Sequence, residues 1–151
     1  MLGTRADIVV NLAYLVTLLA PFVAFLSLRL VRKGRHEAHK RAQTGLLTVC
    51  VLAVVALEIR IRVAGGSATL LEGSPYAGSD LMRVVAAVHI LGAVVTYLVW
   101  CWLVFSSRRA HRSILPGPFS RKHKMAGKIV IAGLSFTTLS ATAVYTFAFV
   151  L

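Results

Sequence analysis

Acidic side chains are nearly missing from this sequence. Five Asp and Glu stand against 17 Lys and Arg in 151 residues, a formal net charge of +12. Charged residues of both signs make up only 15%, well below the roughly 25% of an ordinary globular domain. Cysteine is scarce as well. Cys50 and Cys101 each sit inside an apolar run and show no C-x-x-C spacing, so the spacing offers no zinc or disulfide framework and reads them as small buried hydrophobes. The chain has no G-x-S-x-G, no P-loop, no dinucleotide fingerprint and no H-E-x-x-H, and "HEAHK" has the wrong spacing for a zincin. Soluble-enzyme chemistry therefore has no foothold. No DNA- or RNA-binding motif accompanies the positive charge, so nucleic acid is not expected as a partner.

What the sequence has instead is apolar length. Hydrophobic residues reach 58% and the mean hydropathy is +0.79. One small domain could not bury that much apolar surface against itself, which places the chain in the membrane class. Four apolar segments, at 8–31, 42–64, 82–106 and 128–151, are each near or above the ~20 residues that cross a bilayer. Pro21 falls inside the first and should kink its helix, which membranes tolerate. The start of the chain does not read as a cleaved signal peptide, because its basic start is weak and its apolar run too long. The expected fold is all-α: one polytopic membrane domain, an antiparallel bundle of four transmembrane helices joined by short connections.

Orientation follows from the connections. The first, "RLVRKGRHEAHKR", holds Arg29, Arg32, Lys33, Arg35, Lys40 and Arg41 against Glu37 alone. The third, "SRRAHRSILPGPFSRKHK", adds Arg108, Arg109, Arg112, Arg121, Lys122 and Lys124. The second, "GGSATLLEGSPYAGSD", has no Lys or Arg. The positive-inside rule then puts the basic connections in the cytoplasm and both termini on the outer, periplasmic side of a bacterial inner membrane. Trp100 and Trp102, near the inner end of the third span, fit an aromatic belt. Small residues on the fourth span (Gly133, Ser135, Thr138, Ala141 and Thr142) allow close helix approach, within the bundle or between copies of the chain.

Depth arithmetic singles out a polar layer. A residue six or seven positions inside a span lies roughly 10 Å deep at about 1.5 Å per residue. Glu58, His89, Tyr145 and Tyr14 all satisfy this relation to the outer ends of their spans, and Asn11 lies a turn nearer the surface. Glu58 and Arg62 in "LEIRIR" are spaced i,i+4 and share a helix face. Two readings stand: an ion pair with a nearby histidine that only fixes helix register, or a ligand, proton or metal site. Glu58 is expected to face His89 or Arg62 inside the bundle, with Arg60 off that face.

A second constellation lies toward the inner side. His39 precedes span two and His123 precedes span four, at similar depth; His36 and His111 lie further out and should be solvated. Two histidines from two helices of a bundle are a known way to hold haem iron axially, with neighbouring Lys and Arg suiting the propionates. Gln43, four residues after His39, would be an outer partner. The plainer reading makes both histidines interfacial residues at helix starts.

The stretches "HKRAQTGLLTVCVLAV", "VHILGAVVTYLVW" and "KHKMAGKIVIAGLSFTTLSATAVYTFAF" resemble the bacterial membrane family called domain of unknown function 420. The resemblance covers most of the chain and carries over His39, His89 and His123. It implies four spans with histidines in or at the edge of the membrane. Some members are linked to biogenesis of haem–copper terminal oxidases. The sequence departs from the family where a methionine often follows the first histidine; here the turn reads Ala42, Gln43, Thr44. The resemblance thus implies an accessory or assembly factor of the respiratory chain that handles haem or copper, with another membrane protein or a second copy as partner. The alternatives are a small b-type cytochrome using His39 and His123, or a structural subunit of a membrane electron-transfer complex. A proton-linked transporter is a further option, since spans two and four are each preceded by a similar basic stretch, "HKRAQTG" and "HKMAGK".

Overall fold

The computed structural model describes residues 5–110 and 119–151 and is all-helical among them. Five α-helices follow in order: α1 (Ile8–Arg32), α2 (His36–Val63), α3 (Ser67–Leu70), α4 (Asp80–Ala110) and α5 (Phe119–Tyr145). The last continues into a π-helical turn, Thr146–Val150. The apolar segments read from the sequence coincide with the four long helices, the fourth running on through the π turn, and α2, α4 and α5 outrun them at the basic end. Lys, Arg and Ala are good helix formers, so a helix continues in water after its apolar stretch has stopped. His111 and Arg112 lie outside the described residues.

Local chemistry sets the helix ends. Asp7 caps α1 by accepting the Val10 amide at 3.0 Å. The helix runs unbroken through Pro21 to a last turn carrying Arg29 and Arg32, the favourable end of the dipole for cations. Gly34 then takes φ +71°, a left-handed conformation that costs a glycine little. The amides of Gly34 and Arg35 close back on Val31 and Leu30, so the chain reverses within residues 33–35. Ser79 caps α4 by accepting the Met82 amide. The segment between α2 and α4, expected to be a plain loop, contains α3 and docks on the π turn: Ser74 Oγ donates to the Phe147 carbonyl at 2.6 Å, and Tyr76 packs edge-on against Phe147.

α1 packs along α2 and α5, and α4 packs along α5, while α2 and α4 touch far less. The core draws on all four long helices: Ala20 and Ala24, Leu47 and Cys50, Trp100 and Leu103, Ala126, Val130 and Leu134. Trp100 corrects the sequence reading. It is 1% exposed and lies in the core, whereas Trp102 is 52% exposed. The indole of Trp100 can sit there because Gln43 accepts its N–H at 3.0 Å. Cys50 is fully buried, as expected.

Small residues bring α4 and α5 together. Gly133 lies against Thr96, and Gly92 against the Phe136 ring. Thr138 and Thr142 face α1, while Ser135 is exposed and bonds within its own helix. Most of the small-residue stripe is therefore used inside this chain.

The outside is apolar. Leu139 is 72% exposed, Leu91 68% and Phe22 62%. Three helical stretches, Ile8–Arg32, Asp80–Arg108 and Arg121–Val150, are long and apolar enough to cross a membrane. α2 is set apart by its charges: only residues 42–57 are free of them, roughly 24 Å of helix at about 1.5 Å per residue. Charge also segregates by end. Four cations (Arg5, Arg60, Arg62 and Arg83) balance four carboxylates (Asp7, Glu58, Glu72 and Asp80) at one end. At the other, the basic end, 12 Lys and Arg of the described residues face Glu37 alone.

Candidate functional site

The polar layer proposed from depth arithmetic separates into three parts. Tyr145 donates its hydroxyl to Asn11 Oδ1, joining α5 to α1. Tyr14 stacks on the Tyr145 ring with centroids 4.2 Å apart, and its hydroxyl meets Thr142 Oγ1 at 3.1 Å. One turn further on, Thr138 Oγ1 donates to the Thr17 carbonyl at 2.8 Å. This is a ladder along the α1–α5 contact, and it satisfies buried polar groups where water is scarce. His89 belongs to a different contact, with Ser140 across the α4–α5 boundary.

Glu58 and Arg62 form the third part. They pair as their spacing predicts, at 2.6 Å, but on the outer surface. Glu58 is 52% exposed and Arg62 77% by side chain, so the expected placement of Glu58 inside the bundle is corrected. The interior position goes to its neighbour. Arg60 Nε pairs with Asp7 on α1, and both side chains are about two-thirds covered. The reason is geometric: residues two apart on a helix point in nearly opposite directions. Burial alone would raise the Asp7 carboxyl; the Val10 amide and the Arg60 guanidinium outweigh it and hold it below the ordinary carboxylate range.

The basic end holds the second constellation. His39 Nδ1 lies 3.0 Å from the Ser27 carbonyl of α1. A carbonyl only accepts, so the proton is on Nδ1 and the lone pair of the neutral ring on Nε2. His123 Nδ1 lies 2.9 Å from Ser107 Oγ of α4. That serine already donates its hydrogen to the Leu103 carbonyl at 2.6 Å, so its oxygen accepts from His123. His89 repeats the arrangement: Ser140 donates to the Phe136 carbonyl at 2.9 Å and accepts from His89 Nδ1 at the same distance. Three histidines thus share one tautomer, each fixed by a serine of a neighbouring helix.

Gln43 and His39 are linked through Ser27. Gln43 Nε2 donates to Ser27 Oγ at 2.6 Å, and Ser27 Oγ donates to the Ala24 carbonyl at 2.7 Å. With Trp100 on the Gln43 carbonyl, a closed network joins α1, α2 and α4. Ser27 was not singled out from the sequence because a serine within an apolar helix has no pattern of its own. His39 is anchored toward α1 and His123 toward α4, while Trp100 is held in the core by Gln43. Among the described residues no three His, Cys, Asp or Glu side chains gather in a metal-sized group. His36 is exposed, as expected.

Comparison with known proteins adds no relative: no family model, no curated protein and no solved structure matches the chain.

Proposed function

We propose that this chain is an integral protein of the bacterial cytoplasmic membrane, with four spans in an antiparallel bundle, a cytoplasmic basic end and both termini outside. It serves as a non-catalytic accessory or assembly factor for a haem–copper terminal oxidase, using its histidines to hold copper or haem in passage. The resemblance to the domain of unknown function 420 family supplies the oxidase connection. The charge segregation between the two ends favours the orientation. The Asp7–Arg60 and Glu58–Arg62 pairs neutralise the charges of α2 near its outer edge, which eases its passage as the fourth span.

The observation that carries the reading is that Nδ1 of His39, His89 and His123 each meets an oxygen of a neighbouring helix within 3.0 Å. Imidazoles that bind metals present one ring nitrogen to the metal while the other N–H is held by an oxygen that fixes the ring. An interfacial histidine facing water needs no such anchor.

Two measurements test this. Deleting the gene should lower the haem content and activity of the terminal oxidase in membrane spectra, and unchanged oxidase would refute the assembly role. Metal analysis and an absorption spectrum of the purified protein should show copper or substoichiometric haem that is lost on replacing His39 and His123 together. A stable six-coordinate haem b spectrum would instead establish the cytochrome reading.

A further inference from the structure

The bundle is unevenly closed. α2 and α4 form its open seam, in contrast to the long contacts of α1 with α2 and of α4 with α5. At the basic end the seam is bridged by the Trp100–Gln43 bond and, nearer the surface, by Arg108, whose Nη2 reaches Thr44 Oγ1 at 3.4 Å. Arg108 is exposed, and so is Arg41, one turn before Thr44 on α2. Lys40 keeps 42% of its side chain in the open while paired with Glu37. Along the same helical faces, Val51 and Val55 follow Thr44, and Phe105 and Val94 precede Arg108; all four are exposed. A cationic mouth thus opens onto an apolar seam.

We infer that this mouth binds the phosphate headgroup of an anionic phospholipid whose acyl chains lie along the α2–α4 seam. The assignment rests on the membrane reading above. Two guanidinium groups offer forked donors that match phosphate oxygens, and the Thr44 hydroxyl adds a third donor. A soluble anion would leave the apolar seam bare. A zwitterionic lipid would bring its own cation into a field where 12 cations meet one carboxylate. An anionic lipid satisfies both halves of the site. Each cation near a phosphate surface is worth about fivefold in binding, so the Arg41 and Arg108 pair is worth roughly 25-fold.

The test uses the full chain in mixed micelles with equimolar phosphatidylcholine and phosphatidylglycerol, with bound lipid read by native mass spectrometry. Phosphatidylglycerol should be retained preferentially. The Arg41→Gln/Arg108→Gln double variant should lose roughly 25-fold in retention, while Lys122→Gln/Lys124→Gln, with the same charge change on α5, should lose less than about twofold. Equal loss in both doubles would overturn the seam site in favour of a diffuse field. So would an equal thermal shift from inorganic phosphate alone, or retention of an acidic polypeptide in place of lipid. If the chain resists alkaline carbonate extraction but shows no headgroup preference, this inference fails and the membrane reading stands. If carbonate releases the chain from membranes, both fail.

Discussion

Adding one methyl group at Gly133 tests a close contact between α4 and α5. A Cβ there would stand 2.8 Å from Thr96 Cγ2 and closer still to Thr96 Oγ1. Ordinary carbon contacts begin near 3.5 Å, so α4 and α5 must part by well over half an ångström or Thr96 must turn. Turning is costly. Thr96 is 5% exposed, is stiff at its branched Cβ, and donates its hydroxyl to the Gly92 carbonyl at 2.7 Å. Overpacking of this kind costs about 1–3 kcal/mol, while replacing a helical glycine with alanine returns roughly 1 kcal/mol. Gly133→Ala should therefore lose up to about 2 kcal/mol. In a Thr96→Ala background the obstruction is gone, and the same substitution should gain roughly 1 kcal/mol, a coupling of about 1–3 kcal/mol. Gly92→Ala makes the contrast. Its Cβ would meet the Phe136 ring, which is 43% exposed and free to swing outward, so its loss should be smaller. Reversible detergent unfolding, followed by the fluorescence of buried Trp100, measures all four. A neutral Gly133→Ala that is additive with Thr96→Ala within about 0.5 kcal/mol would refute the close-packing argument.

Four further outcomes follow from the polar contacts. Arg60→Gln should cost about 1 kcal/mol in the same unfolding assay and Glu58→Gln less than about 0.5, because only the first breaks a partly covered link between helices; the reverse order would restore Glu58 to the central role. Asp7 has a folded pKa below its unfolded one, so its contribution is full above the ordinary carboxylate value of about 3.9 and is lost as pH falls through the lowered value. An acid titration of stability should show that loss in the native chain and not in Asp7→Asn. Trp100→Phe removes the donor to Gln43 Oε1 and should cost roughly 1–3 kcal/mol, part of which Trp100→Phe/Gln43→Leu recovers; no recovery would mean that packing alone sets the cost. Nitrogen-15 spectra should place the proton on Nδ1 of His39, His89 and His123 in their neutral forms, and an Nε2–H signal at His39 would break the tautomer argument.

Much of the scaffold was legible in the sequence, and the polar pairings were less so. Hydropathy located the long helices because each apolar segment exceeds what local structure can hide, but it missed their basic-end extensions, which are helical without being apolar. The i,i+4 rule found the Glu58–Arg62 pair because it needs one helix alone. The same reading set Arg60 aside, since its partner Asp7 is 53 positions away on another helix. Depth placed Asn11 near Tyr145 correctly and grouped Glu58 and His89 with them without warrant, because level along a bundle says nothing about which way a side chain turns.

The sequence by itself determined the helical class, the lengths of the apolar segments and the separation of charge, because each depends on composition along one strand of chain. Only the tertiary structure decided that Trp100 belongs to the core, that Arg60 rather than Glu58 ties α2 to α1, and that serines on neighbouring helices fix three histidines in one tautomer. Those facts depend on the rotation of each helix about its own axis. That rotation is set where Gly133 lets α5 close on Thr96 and where Ser27, Gln43 and Trp100 satisfy one another, contacts between residues far apart in the chain.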